Sequence, residues 1–79
     1  MTKNEKRATE ILFESYKKTG SRSLSYGEIA NRSNGELTGP QLSEILSEGS
    51  TGYIKWAGGN FTIAEITFDG LSYMENRNY

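Results

Sequence analysis

Two alternating runs, Tyr53-Ile54-Lys55-Trp56-Ala57 and Asn60-Phe61-Thr62-Ile63-Ala64, flank the pair Gly58-Gly59, and no other segment constrains the chain as tightly. Gly-Gly between alternating runs signals a two-residue β-hairpin, because glycine adopts the positive φ that such turns require. With Gly58 and Gly59 as the loop, Trp56 opposes Phe61, Lys55 opposes Thr62, and Ile54 opposes Ile63. Trp56, Phe61, Ile54 and Ile63 then share one face. The alternation shifts after Glu65, since Ile66 and Phe68 do not continue the odd-numbered face, which predicts a bulge or the end of the strand.

Before the hairpin the periodicity is helical. Ala8, Ile11, Leu12 and Tyr16 recur at helical spacing between Lys3 and Lys18, with Ser15 completing the stripe, so the first helix is amphipathic. Thr19-Gly20-Ser21 closes it after the basic pair Lys17 and Lys18. Phe13 lies off the stripe and is expected to pack against another element of the same domain. Ser25-Tyr26-Gly27-Glu28 is a capping box in which the Ser25 hydroxyl serves an amide three residues on and Glu28 reaches back. The second helix that starts there turns Ile29 and Ala30 inward and ends at Ser33-Asn34-Gly35. Leu24, just before it, either staples the entry or forms a minimal edge strand.

Thr38-Gly39-Pro40-Gln41 starts a third helix, with Thr38 as cap, proline in the first turn and Gln41 at the capping-box position. Leu42, Ile45 and Leu46 point inward, leaving Gln41, Ser43, Glu44, Ser47 and Glu48 outward. Two short helices joined by a tight glycine-containing turn form a helix-turn-helix pattern. Beyond the hairpin, Thr67 or Asp69 caps a last short helix carrying Leu71 and Met74, with Tyr73 beside them, and the tail from Glu75 frays. Residues 1–79 show no repeat or linker and read as one α+β domain: a three-helix core, a two-stranded wing and a short closing helix.

The chain has no cysteine and no histidine, which removes disulfides, thiolate ligands, the usual zinc sites and the Ser-His-Asp relay together. Ser15 and Lys18 have the spacing of some serine acyl-enzymes, but a domain this small has no deep pocket to house that chemistry. The expectation is a non-enzymatic protein without metal or cofactor. The longest apolar runs are three residues, so neither a membrane span nor a signal peptide is expected, and the cytoplasm is the expected compartment. Nine Lys and Arg against ten Asp and Glu give a net charge of −1, which supplies no long-range attraction to nucleic acid.

Three segments resemble the winged-helix superfamily. Ser25-Tyr26-Gly27-Glu28-Ile29-Ala30 looks like the opening of the second helix in bacterial regulators. The passage from Leu42-Ser43-Glu44-Ile45-Leu46 into Gly52-Tyr53-Ile54 is similar to the usual step from recognition helix into wing. Ile66-Thr67-Phe68-Asp69-Gly70-Leu71-Ser72-Tyr73-Met74-Glu75 resembles the ending that follows the wing in PadR-like and MarR-like proteins. The resemblance, to short bacterial or phage proteins of this kind, implies a transcriptional regulator that binds double-stranded DNA, with the third helix in the major groove and the wing on the backbone or minor groove.

The residues themselves qualify that implication. On the third helix Gln41 suits adenine and Ser43 a phosphate, but Glu44 and Glu48 would be repelled, and no Lys or Arg occurs from Asn34 to Tyr53. Candidate phosphate contacts are Lys17, Lys18, Arg22, Arg32 and Lys55, which count as a patch only if the fold gathers them. Trp56 and Phe61 form an aromatic pair beside the turn, and exposure there would mark a partner site. Two functions follow: a DNA-binding regulator that dimerises through its terminal helices, or a phage or mobile-element module that engages a host protein through its acidic third helix and aromatic wing.

Overall fold

The computed structural model describes residues 2–48, 52–59 and 62–77, with Leu46, Ser47 and Glu48 given as backbone alone. Its helices are α1 (Lys3–Thr19), α2 (Tyr26–Arg32), α3 (Gly39–Glu48) and α4 (Phe68–Arg77), and its strands β1 (Ser23–Ser25), β2 (Ile54–Ala57) and β3 (Ile63–Ile66). The class is α+β, with one antiparallel sheet in the order β1-β3-β2.

Each helix begins where a short polar side chain meets its first turn. The Thr2 hydroxyl accepts from the Glu5 amide at 3.1 Å, Ser25 from Glu28 at 3.3 Å, and Thr67 from Gly70 at 3.1 Å. Thr67, rather than Asp69, is therefore the cap of α4. At α3 the Thr38 amide donates to Gln41 Oε1 at 3.2 Å, and the Thr38 hydroxyl donates to the same oxygen. Glu28 departs from the expected capping box: its carboxylate takes the Arg32 guanidinium at 3.4 Å, one turn along α2. Gly20, at φ 79°, closes α1 in the left-handed conformation, its amide donating to the Tyr16 carbonyl at 2.8 Å.

The sheet corrects two expectations. It has three strands rather than two, because β1 pairs with β3 through Ser23–Glu65, Leu24–Ala64 and Ser25–Ile63, so Leu24 does lie in an edge strand. The hairpin register also differs: Ile54 faces Ile66, Lys55 faces Glu65, Trp56 faces Ala64 and Ala57 faces Ile63. The strands are joined by residues 58–62 instead of Gly58-Gly59 alone, and of that pair only Gly58 has positive φ. Burial explains the outcome. Ala64 and Ile66 are wholly buried and Ile63 is 38% exposed, so the core takes the even-numbered side of β3. A two-residue loop would turn Ala64 and Ile66 to solvent, and apolar burial on a central strand outweighs the preference of one dipeptide for a tight turn. Phe61 and Asn60 lie outside the described residues, as does the expected Trp56–Phe61 contact.

The core collects Ala8, Ile11, Leu12 and Phe13 of α1, Ile29 of α2, Leu42 and Ile45 of α3, Ile54, Ala64 and Ile66 of the sheet, and Leu71 and Met74 of α4. Phe13 is buried as expected, and Ser15 completes the α1 stripe. Leu37 is a further core residue, in the turn before α3. Its amide donates to the Ser33 hydroxyl at 2.9 Å, and that hydroxyl donates to the Ala30 carbonyl at 2.8 Å, so the buried serine is satisfied on both sides. Leu46 was expected beside these residues, but its side chain is outside the described set.

Candidate interaction surface

The described side chains on the outer face of α3 are polar or acidic. Ser43 and Glu44 are exposed. Gln41 is half-buried, and its amide oxygen is engaged by Thr38 at the helix start, which commits part of the one side chain suited to reading a base. Glu44 Oε2 accepts from Asn4 Nδ2 of α1 at 3.4 Å, tying the start of α1 to this face. The side chains of Ser47 and Glu48 are outside the described residues.

The five cations proposed as phosphate contacts are not gathered into a patch. Arg32 is paired with Glu28 on α2. The Lys17 ammonium lies 5.4 Å from the Phe13 ring centroid, while Lys18 is exposed on the last turn of α1. Arg22 is drawn to a carboxylate, and Lys55 is exposed on β2. Arg22 comes within 4.0 Å of Glu65, Lys55 stands across from Glu65 in the sheet register, and the Ser23 hydroxyl donates to Glu65 at 3.4 Å. The Arg22 guanidinium also covers the Phe68 ring at 4.5 Å, although Phe68 remains 72% exposed.

Trp56 is half-buried and meets Tyr26 edge-on, with ring centroids 5.1 Å apart and planes at 89°. It thus ties β2 to the start of α2. Neither the indole Nε1 nor the Tyr26 hydroxyl, both buried, has a hydrogen-bond partner among the described residues. Burial pushes the Tyr26 pKa up from its ordinary value.

Two features escaped the sequence reading. Lys3, Lys6 and Arg7 occupy adjoining positions on one face of α1 and line a groove of about 470 Å³ with Asn4, Glu10 and Glu36. Arg7 Nε lies 3.7 Å from Glu36, so this basic turn is partly balanced. Their i, i+3, i+4 spacing is legible in the sequence, whereas the approach of Glu36 to Arg7 is not. The second is a stack of Tyr53 on Tyr73, 4.6 Å between centroids and 21° between planes, with the Arg77 guanidinium 5.4 Å from the Tyr73 ring. Tyr53 and Tyr73 are twenty positions apart, and only the docking of α4 against the start of β2 brings them together.

Among the described residues no helix is long and apolar enough to cross a membrane. No known protein family matches the chain, and neither a curated protein nor a solved structure matches it.

Proposed function

We propose that the chain is a winged helix-turn-helix module that works in the cytoplasm without catalysis and binds a protein partner through the outer face of α3. The element order α1, β1, α2, α3, β2, β3, α4, with β3 between β1 and β2, supports the winged-helix arrangement. The observation that carries the choice of partner is electrostatic. Glu44 is exposed on α3, no Lys or Arg occurs from Asn34 to Tyr53, and Arg22 and Arg32 are drawn into internal pairs. Such a face suits a basic protein surface and repels phosphate. The resemblance to short phage and bacterial proteins makes a host factor the natural partner for this surface.

A second reading, a DNA-binding regulator acting as a dimer through its terminal helices, is favoured by one observation. Lys3, Lys6 and Arg7 stand together on α1, whose Asn4 touches Glu44 of α3, so cations do flank the helix that would enter a groove. Fluorescence anisotropy with labelled duplex at low and moderate salt separates the two. The protein-binding reading expects no salt-sensitive association, and a steep salt dependence in the wild type would replace it with the DNA reading.

A further inference from the structure

We propose that Asn34 is a site of self-modification: the Gly35 amide displaces ammonia from its side chain, and the isoaspartate formed there loosens the turn between α2 and α3. Asn34 is the only asparagine of the chain that precedes a glycine. With no Cβ on the following residue, the attacking nitrogen meets little hindrance. The fold leaves the pair open. Both residues are exposed and in the left-handed region, Asn34 at φ 56° and Gly35 at φ 87°. Neither the Asn34 carboxamide nor the Gly35 amide makes a hydrogen bond among the described residues. A Cβ on Gly35 would meet nothing within 4 Å, so no neighbour obstructs rotation of this peptide. The flanking bonds, Asn34 N to the Asn31 carbonyl at 3.3 Å and Glu36 N to the Ser33 carbonyl at 3.2 Å, are both long. Asp69-Gly70, where the same cyclisation is conceivable, is closed by contrast. Gly70 is buried in the first turn of α4, and its amide donates to the Thr67 hydroxyl at 3.1 Å.

Water is the only co-reactant. The Gly35 nitrogen gives its proton to solvent base and bonds to Asn34 Cγ, the bond from Cγ to the side-chain nitrogen breaks, and ammonia leaves with a proton from solvent. The succinimide so formed adds water at either carbonyl. Opening at Cγ gives aspartate, and opening at the backbone carbonyl gives isoaspartate, whose chain runs through Cβ. Either product adds a negative charge beside Glu36. Isoaspartate also lengthens the backbone, and the turn has no slack for it. Ser33 and Leu37, on either side, are wholly buried, and the Leu37 amide donates to the Ser33 hydroxyl at 2.9 Å.

The test incubates the protein at mildly alkaline pH, folded and in concentrated guanidinium chloride, and maps its peptides by mass spectrometry, with isoaspartate identified by its backbone fragments. Loss of the Asn34 amide in the fold should stay within about tenfold of the unfolded rate, since at most one weak hydrogen bond has to break. Asn31, inside α2, should be protected much more strongly. The isoaspartate form should melt below the unmodified protein. Asn34→Asp, which adds the charge without lengthening the backbone and tolerates positive φ, should melt close to it. Asn34→Gly keeps the backbone conformation, lacks the carboxamide and should give no product. Slowing in the fold by much more than tenfold would show that the turn protects Asn34. Aspartate without isoaspartate would show hydrolysis by water instead of attack by Gly35, and an isoaspartate form as stable as the unmodified chain would show a turn with slack. Any of the three overturns the proposal. None of these measurements involves a partner, so failure here leaves the reading of the α3 face intact, and the reverse also holds.

Discussion

Gly70 lies so close to the Tyr53 carbonyl that a Cβ on residue 70 would sit 2.5 Å from that oxygen and 2.7 Å from Ile66 Cγ1. The first turn of α4 therefore packs directly on the backbone that leads into β2, and the same approach brings Tyr73 onto Tyr53. Gly70→Ala should destabilise the domain by about 1–3 kcal/mol, as overpacking does, in spite of alanine's better helix propensity. Gly27, inside α2, meets nothing within 4 Å. Gly27→Ala should therefore stabilise by about 0.5–1 kcal/mol. Thermal melts followed by circular dichroism check the pair, and equal shifts of the same sign would show that Gly70 is not in close contact.

The sheet register gives a second prediction. Ile66 is wholly buried and Ile63 is 38% exposed, although only three positions separate them on β3. Ile66→Ala should cost about 2–5 kcal/mol, the range for truncating a packed core isoleucine. Ile63→Ala should cost much less. Under the two-residue loop the order would be reversed, so chemical denaturation of the two variants distinguishes the registers.

The same pair of residues shows where the sequence was legible and where it was not. Helix starts are written locally, in a hydroxyl and the amides just after it, and Thr2 aside they were readable at Ser25, Thr38 and Thr67. The α1 stripe was readable for the same reason, since one helix repeats its own period. The register of β2 on β3 is not a local property. It depends on Leu24 of β1 lying against Ala64 and on helices covering the even-numbered side of β3, and Gly58-Gly59 carries no information about either. Leu37 and the Tyr53–Tyr73 stack were missed on similar grounds: each is defined by segments that meet only in the folded chain. The candidate cations were all identifiable by type, but Glu28 and Glu65 decide how two of them are used.

Tyr26 and Trp56 give a prediction that depends on pH. The buried Tyr26 hydroxyl has no partner among the described residues, and burial raises its pKa above the ordinary phenol value of about 10. In the unfolded chain the phenol ionises at its ordinary value, whereas the fold holds it neutral to higher pH. Its contribution is thus fully present below pH 10 and is lost as pH rises through the folded pKa. Tyr26→Phe should leave neutral-pH stability equal or slightly higher, since it removes an unpaired hydroxyl and keeps the ring against Trp56. Its melting temperature should also fall less steeply than the wild type's above pH 10. Parallel alkaline profiles for the two proteins would show that the Tyr26 phenol is free to ionise in the fold.

The outer face of α3 gives the prediction that separates the two classes of partner. Glu44 and Glu48 are four residues apart on one helix, so the backbone places them on the same side, one turn from each other. If that side meets a basic protein surface, Glu44→Lys with Glu48→Lys replaces attraction by repulsion, and association with the partner should slow and weaken. If it enters a DNA groove, the same double change removes two repulsive charges and adds two cations. Affinity for any duplex should then rise, and the salt dependence should steepen by about 0.9 in log–log slope for each new phosphate contact. The wild-type protein has to be measured first. Duplex association by the double variant alone shows only that the added lysines create a basic helix, as they would on many surfaces. The informative comparison is with a wild type that already binds. Salt-sensitive duplex binding by the wild type, strengthened by the double change, would overturn the protein-partner reading. No wild-type binding at low ionic strength is the outcome that the present acidic face of α3 leads us to expect.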